Sequence, residues 1–211
     1  MPSQDNELGA GGISRRGFLK GVGAGAVATG LVSSVRDMQE ASAQVQANVN
    51  GPGNVKITLN INGKDQSVEV EPRVTLLDCL RNRLDITGAK KVCDRGTCGA
   101  CTVMLDGEIV YSCSILAIEA EGHKITTVEG LGTPDNLHPV QKAFVEHDAQ
   151  QCGFCTPGFV MATAAFVKAH PKATIEEIKH GLGGNLCRCG TYQGIIAVAQ
   201  GMPAYIEGGQ A

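Results

Sequence analysis

Near the end of this chain stand two cysteine pairs, Cys152-Gly153-Phe154-Cys155 and Cys187-Arg188-Cys189, whose internal spacings differ. Two residues between thiolates suit a loop that curls over a metal, whereas a single residue sets both sulfurs on one side of extended or tightly turned backbone. A zinc ribbon repeats one Cys-x2-Cys knuckle, and this chain does not. Four thiolates so placed can hold a [2Fe–2S] rhomb, two on each iron, and the chemistry of such a centre is electron transfer. A second quartet lies upstream: Cys93, Cys98 and Cys101 share one short loop, and Cys113 follows after a hairpin. Gly96 and Gly99 in that loop allow left-handed backbone angles, so that successive N–H groups turn inward to an anionic centre and its sulfurs.

The elements that must position these thiols change character half-way along the chain. Val55, Ile57, Leu59 and Ile61 alternate with Lys56, Thr58 and Asn60, the period of a strand with one buried face. Asn62-Gly63 closes a hairpin, and the return strand turns Val68 and Val70 inward before Pro72 ends it. Thr75 caps a helix that reaches Leu84, with Leu76, Leu77, Leu80 and Leu84 at helical spacing. Cys79 on this helix has no partner thiol near it in sequence and reads as a small buried hydrophobe. A second hairpin runs over residues 102–112 around Asp106-Gly107, a strand at residues 125–128 completes the sheet, and residues 130–136 read as a linker. Helices are then expected over residues 139–148, 157–169, 174–182 and 191–200, with Pro157 at a first helical position and Thr174 and Glu177 as a capping box. The pair Cys152/Cys155 precedes the second of these helices and Cys187/Cys189 the fourth, where free N–H groups and the helix dipole favour a negative cluster.

Composition narrows the remaining classes. A net charge of −3 with no block of like charge leaves no basic field for nucleic acid. Aromatics are only 4% while glycine (28) and cysteine (9) are abundant, which favours a loop-rich protein built round inorganic centres. Residues 1–43 read as an export signal. Ser14-Arg15-Arg16-Gly17-Phe18-Leu19-Lys20 resembles the twin-arginine consensus, and the apolar residues 21–32 are too few and too weakly hydrophobic to span a bilayer of about 30 Å. Ala41-Ser42-Ala43 is a small-residue cleavage site, so the mature chain is expected to begin at Gln44, in the periplasm. Gly21-Val22-Gly23-Ala24-Gly25-Ala26 satisfies a lenient dinucleotide fingerprint, but no strand precedes it and no nicotinamide or flavin site follows. Disulfides fit a Gly-rich Cys-x2-Cys loop poorly, and the twin-arginine route serves proteins folded with their cofactors already inserted. Zinc is disfavoured because one quartet draws three ligands from a single loop. The five histidines show no ligand spacing and suit surface or capping roles, and no paired carboxylates, serine nucleophile or phosphate loop accompanies them. The chain therefore lacks its own substrate chemistry.

The spacing Cys93-x4-Cys98-x2-Cys101 with a distant Cys113 is that of plant-type ferredoxins. Together with Gln151-Cys152-Gly153-Phe154-Cys155-Thr156-Pro157-Gly158 and Asn185-Leu186-Cys187-Arg188-Cys189-Gly190, it resembles one family specifically over residues 55–200. That family is the two-cluster iron–sulfur subunits of the molybdenum hydroxylases, the xanthine dehydrogenase and aldehyde oxidoreductase group. With the export signal, the likeness is to a periplasmic aldehyde oxidoreductase small subunit. The resemblance implies an α+β chain with a β-grasp ferredoxin domain at residues 54–130 and a four-helix [2Fe–2S] domain at residues 136–202. It implies Cys93, Cys98, Cys101 and Cys113 as ligands of one cluster, and Cys152, Cys155, Cys187 and Cys189 as ligands of the other. Gln151 and Cys189 would face the molybdopterin of a large partner subunit, where an aldehyde is oxidised to its acid with water as the oxygen source, and Arg188 reads as an interface or cluster-tuning cation. The acceptor would be an FAD subunit or cytochrome c. Gly190-Thr191-Tyr192-Gln193 has a form also seen in isoquinoline-type members that feed cytochrome, and Val92 stands where the family usually has glycine. The rival reading is a free two-cluster ferredoxin carrier. A carrier needs one exposed cluster, whereas this chain devotes a second domain to another that a partner can cover.

Overall fold

The structure, a computed structural model, describes residues 51–207. The expected export signal, its cleavage site and the Gly-rich run of residues 21–26 lie outside the described residues. Strand β1 (Val55–Ile61) pairs antiparallel with β2 (Lys64–Val70), Val55 opposite Val70 and Ile57 opposite Val68. Asn62 (φ 52°) and Gly63 (φ 77°) make the turn, both left-handed as a tight hairpin between right-twisted strands requires. Helix α1 (Leu76–Arg83) begins where Thr75 Oγ1 accepts the Asp78 N–H at 3.2 Å. A second hairpin joins β3 (Thr102–Leu105) to β4 (Glu108–Tyr111), and β5 (Lys124–Thr126) runs parallel to β1 and antiparallel to β3. The order β2-β1-β5-β3-β4 is the mixed sheet of a β-grasp. One face of β1, Ile57, Leu59 and Ile61, shares a core with Leu76, Leu77 and Leu80 of α1. Strand β5 stops short of the expected residue 128, because the Thr127 N–H turns to Asn62 Oδ1 (2.9 Å) and Val128 leaves the sheet to pack on the helices.

The helical half consists of α2 (Pro139–Glu146), α3 (Thr156–Ala169), α4 (Ile175–Gly181) and α5 (Tyr192–Glu207). Its caps are legible locally. Glu177 N–H donates to Thr174 Oγ1 (3.3 Å), and Thr174 N–H donates back to Glu177 Oε2 (2.7 Å). At α2 the cap is His138, whose Nδ1 accepts from Val140 N–H at 3.2 Å; burial lowers its pKa and so keeps the neutral ring that can accept. Val140, Phe144, Phe159, Ile178, Ile195 and Val198 form the second core. Helix α5 continues past the expected end at residue 200, since Met202 is buried in that same core and gives the added turns an apolar anchor. Among the described residues no helix is long and apolar enough to cross a membrane.

The two halves are in close contact. Met104 of β3 packs against the helical core, and α3 lies along β3 and β4. The approach is tightest at Gly158 near the start of α3, where a Cβ would run into the carbonyl oxygen of Gly99 and against Ala100 Cα.

Candidate metal centres

The upstream quartet is built on the irregular loop between α1 and β3. Gly96 (φ 70°) and Gly99 (φ 67°) take left-handed angles there. Gly96 N–H consequently donates to Cys113 Sγ at 3.3 Å and Thr97 N–H to Cys93 Sγ at 3.5 Å, so donors face sulfur as the glycine spacing leads one to expect. Cys93 lies within hydrogen-bonding reach of Cys98, and Cys101 of Cys113. The start of the loop is braced by Arg81 Nη1, which donates to Thr87 O (2.7 Å) and Ala89 O (2.8 Å). Lys91 bridges Asp78 (2.8 Å) and Asp94 (3.0 Å). These lysine pairs are part-exposed and contribute about 0–1 kcal/mol each, so they orient the loop more than they stabilise the fold.

The downstream quartet sits at two helix N-termini. Cys155 is the N-cap of α3, and the Cys187-Arg188-Cys189 turn leads into α5. Tyr192, set edge-on to Phe159 with ring centroids 6.1 Å apart, accepts the Cys187 N–H on its phenol oxygen at 2.8 Å, and Thr191 Oγ1 lies 3.1 Å from Cys187 Sγ. The sulfurs do not pair as sequence neighbours. Cys155 reaches Cys187 and Cys152 reaches Cys189, each pair taking one thiol from each loop. Gly153 takes a left-handed angle (φ 84°) in the first loop. Cys187 is buried and Cys155 half-buried, whereas Cys152 and Cys189 are exposed, together with Gln151, Phe154, Leu186 and Arg188.

Acid–base chemistry is divided within each quartet. The Thr97 hydroxyl, helped by backbone N–H groups, lowers Cys93 to about 6, while burial pushes Cys101 up to about 12. Burial pushes Cys187 up as well, but the Thr191 hydroxyl and N–H outweigh it and bring the thiol down to about 7; its neighbour Cys155 is pushed by burial to about 12. The Cys187 sulfur thus accepts a hydrogen bond from the Cys155 S–H, whose proton must leave for iron to bind, because iron takes thiolate. All nine cysteines are free, and burial holds Cys79, packed in the β-grasp core, near 11.

The residues present fit two [2Fe–2S] clusters. Each site offers four sulfurs grouped two by two, as a rhomb with two thiolates on each iron requires, and backbone or hydroxyl donors stand against the sulfur. Among the described residues no three His, Cys, Asp or Glu side chains close round a single ion. Thr156 Oγ1, in the residue following Cys155, is buried without a protein partner, a donor left over beside the thiolates.

Residues 59–127 match the family described as 2Fe-2S iron-sulfur cluster binding domain, and residues 127–200 match the [2Fe-2S] binding domain family. The aldehyde oxidoreductase iron-sulfur-binding subunit PaoA of Escherichia coli (strain K12) is 41% identical over 203 residues, covering 89% of this chain and 87% of that protein. This chain belongs to the iron–sulfur subunits of the molybdenum hydroxylases. Among solved members of that family, quinoline 2-oxidoreductase from Pseudomonas putida 86 superposes with a TM-score of 0.70 at 38% identity, over 75% of this chain and 99% of its counterpart. Aldehyde oxidoreductase from Desulfovibrio gigas gives a TM-score of 0.69 at 37% identity, over 74% of this chain but 18% of that one. In iron–sulfur subunits of this family the substrate chemistry sits in a partner subunit.

Tyr111, Asn185, Thr191 and Tyr192 have no individual role assigned from the sequence, although Asn185, Thr191 and Tyr192 stand within the motifs quoted above. Thr191 and Tyr192 read as a helix opening and as part of a form shared with isoquinoline-type members, although a hydroxyl and a phenol shortly after a Cys-x-Cys turn are the groups with reach to its sulfur and N–H. Tyr111 carried no signal, because its partner, Gly184 O at 2.8 Å, is remote in the chain.

Proposed function

We propose that this chain is the electron-transfer subunit of a periplasmic, molybdenum-containing aldehyde oxidoreductase, with Cys93, Cys98, Cys101 and Cys113 holding one cluster and Cys152, Cys155, Cys187 and Cys189 the other. When bound, each cluster supplies a site that takes up and gives back single electrons. The observation that carries the reading is the crosswise pairing of the helical thiols. It turns Cys155 and Cys187 inward, where Leu186 N–H donates to Cys98 O at 3.0 Å and so helps to join the two ligand loops. It leaves Cys152 and Cys189 outward, beside the exposed Phe154 (58%) and Leu186 (54%). Two large apolar side chains flanking two exposed thiols suit a surface that a partner covers.

The partner is the large molybdopterin subunit, with Gln151 and Cys189 facing the pterin and Arg188 at the contact. Electrons enter through the outward pair and leave through the ferredoxin-type quartet to an FAD subunit or cytochrome c. Oxidation of an aldehyde to its acid, with water supplying the oxygen, releases two protons and two electrons, and two one-electron sites can accept the electrons in turn. The name of the Escherichia coli relative supports the aldehyde reading. The match to only 18% of the Desulfovibrio gigas enzyme leaves most of that chain for chemistry absent here. The likeness to quinoline 2-oxidoreductase favours a second reading, hydroxylation of a nitrogen heterocycle with cytochrome c as acceptor. Purifying the complex from periplasm, assaying molybdenum, flavin and iron, and comparing aldehydes with N-heterocycles separates the two. Recovery of the chain alone, with no molybdenum, would favour a free carrier.

Metal analysis is expected to find about four irons and four sulfides per chain, with two distinguishable paramagnetic signals on reduction. One signal with half the iron, or stoichiometric zinc, overturns the two-cluster assignment. Export is expected to depend on Arg15 and Arg16: replacing both by lysine keeps the charge but removes the guanidinium groups the translocase reads, leaving cluster-loaded protein in the cytoplasm. Normal periplasmic accumulation of the Lys-Lys variant counts against a twin-arginine signal.

A further inference from the structure

We propose that Asn185 is a positioning residue for electron passage between the two centres: its carboxamide clamps the ferredoxin loop to the loop of Cys187 and so sets the separation of the two thiolate quartets. The inference rests on the two-cluster relay proposed above. Asn185 is 3% exposed, and its Nδ2 donates across the junction to Gly99 O (2.8 Å) and to Thr102 Oγ1 (3.2 Å). Gly99 O can only accept, so the orientation of the amide is fixed by chemistry. The same carbonyl also accepts from Thr102 N–H (3.1 Å) and Thr102 Oγ1 (2.7 Å), which makes the Gly99 peptide the point on which the ferredoxin loop is held.

Asn185 does not act alone. On its N-terminal side Gly184 O accepts from the Tyr111 phenol (2.8 Å), and on its C-terminal side Leu186 N–H donates to Cys98 O (3.0 Å). Three consecutive residues therefore bond across the junction, and the next residue is the ligand candidate Cys187. There is no slack behind them. A Cβ on Gly99 would press on the Asn185 amide and Gly184 O, and one on Gly184 would meet the Tyr111 hydroxyl. Asn185 Nδ2 has its partners in Gly99 and Thr102 rather than in a sulfur, so its influence on the clusters is exerted through backbone placement. Of the four cross-junction bonds, the two from Asn185 are the ones made by a buried side chain, and substitution removes them while keeping the backbone link from Leu186 to Cys98.

The test uses the cluster-loaded full chain, reduced with dithionite, as wild type and as Asn185→Ala, Asn185→Asp and Tyr111→Phe. Two reduced clusters split each other's paramagnetic signals, and the splitting falls steeply with separation, so it reports placement independently of activity. Asn185→Ala and Asn185→Asp are expected to keep the wild-type iron content and both signals, while the splitting shrinks and electron equilibration between the clusters slows about tenfold or more. Aspartate matters here because it keeps the shape but presents a carboxylate to two oxygens. Tyr111→Phe, which loses one bond at the edge of the segment, is expected to move both readouts the same way by less. Wild-type splitting and rate in Asn185 variants that hold both clusters overturn the positioning role and leave the relay standing. A wild-type chain with one signal or no splitting overturns the relay, and this inference with it. Should the Asn185 variants fail to load, Tyr111→Phe decides, and an unchanged splitting there overturns the proposal.

Discussion

Replacement of Cys155 by serine is expected to cut the relay while leaving the ferredoxin-type site loaded. Cys155 supplies half of the inward pair with Cys187, next to the Leu186–Cys98 hydrogen bond, and serine offers a hard, poorly ionised oxygen where iron–sulfur chemistry needs a thiolate. Cys93, Cys98, Cys101 and Cys113 belong to another loop and another core, and are expected to keep their metal. In the assembled complex, substrate then reduces the molybdenum centre normally, but its electrons reach the ferredoxin-type site at least about a hundredfold more slowly, the order of loss when reacting groups are no longer held in place. Dithionite provides the control. Most of residues 91–97 are exposed, so a small reductant reaches that loop directly and still reduces its cluster in the variant. Rapid mixing with substrate and with dithionite therefore separates a broken relay from a collapsed fold. Wild-type transfer in a chain shown to lack the helical cluster would mean that the proposed order of the two sites is wrong.

The substitution Gly158→Ala is expected to destabilise the junction, against the sign that helix propensity alone supplies. Alanine is better than glycine inside a helix by about 1 kcal/mol, so an exposed helical glycine would gain from the change. At Gly158 the new methyl meets Gly99 O and Ala100 Cα, and also Asn185 Nδ2, which is itself bonded to Gly99 O and Thr102 Oγ1 and so is not free to give way. Overpacking of this kind costs about 1–3 kcal/mol, and the larger figure applies where the neighbours are fixed. A net loss of about 1–2 kcal/mol is the outcome expected by difference, to be measured as a lowered midpoint in chemical denaturation of the cluster-loaded chain. A raised midpoint would show that the junction yields and that Gly158 is not there for close approach.

What local residue order settles is visible in the elements that matched it. The period-2 apolar residues of β1, the Asn62-Gly63 and Asp106-Gly107 turns, the Thr75 cap and the Thr174/Glu177 box each act within a few residues, so they can be read without knowing the fold. The family and the α+β architecture followed from the cysteine spacings for a similar reason, since iron–sulfur ligation sets loop lengths that few other chemistries require. The end of β5, the continuation of α5 to Glu207 and the His138 cap escaped because each is decided by a partner in space: Asn62 for Thr127, the helical core for Met202, burial for the neutral imidazole. The ligand candidates themselves were legible as residues but not as pairs. Spacing groups Cys152 with Cys155 and Cys187 with Cys189, yet the fold joins Cys155 to Cys187 and Cys152 to Cys189, each loop giving one less exposed and one exposed sulfur. Only that tertiary arrangement provides an inner edge bonded to Cys98 through Leu186 and an outer edge open to a partner. The chain order of the cysteines supplies the thiols; the packing of α3 on β3 and β4, and the bonds from residues 184–186 to the ferredoxin half, decide how the two quartets are joined.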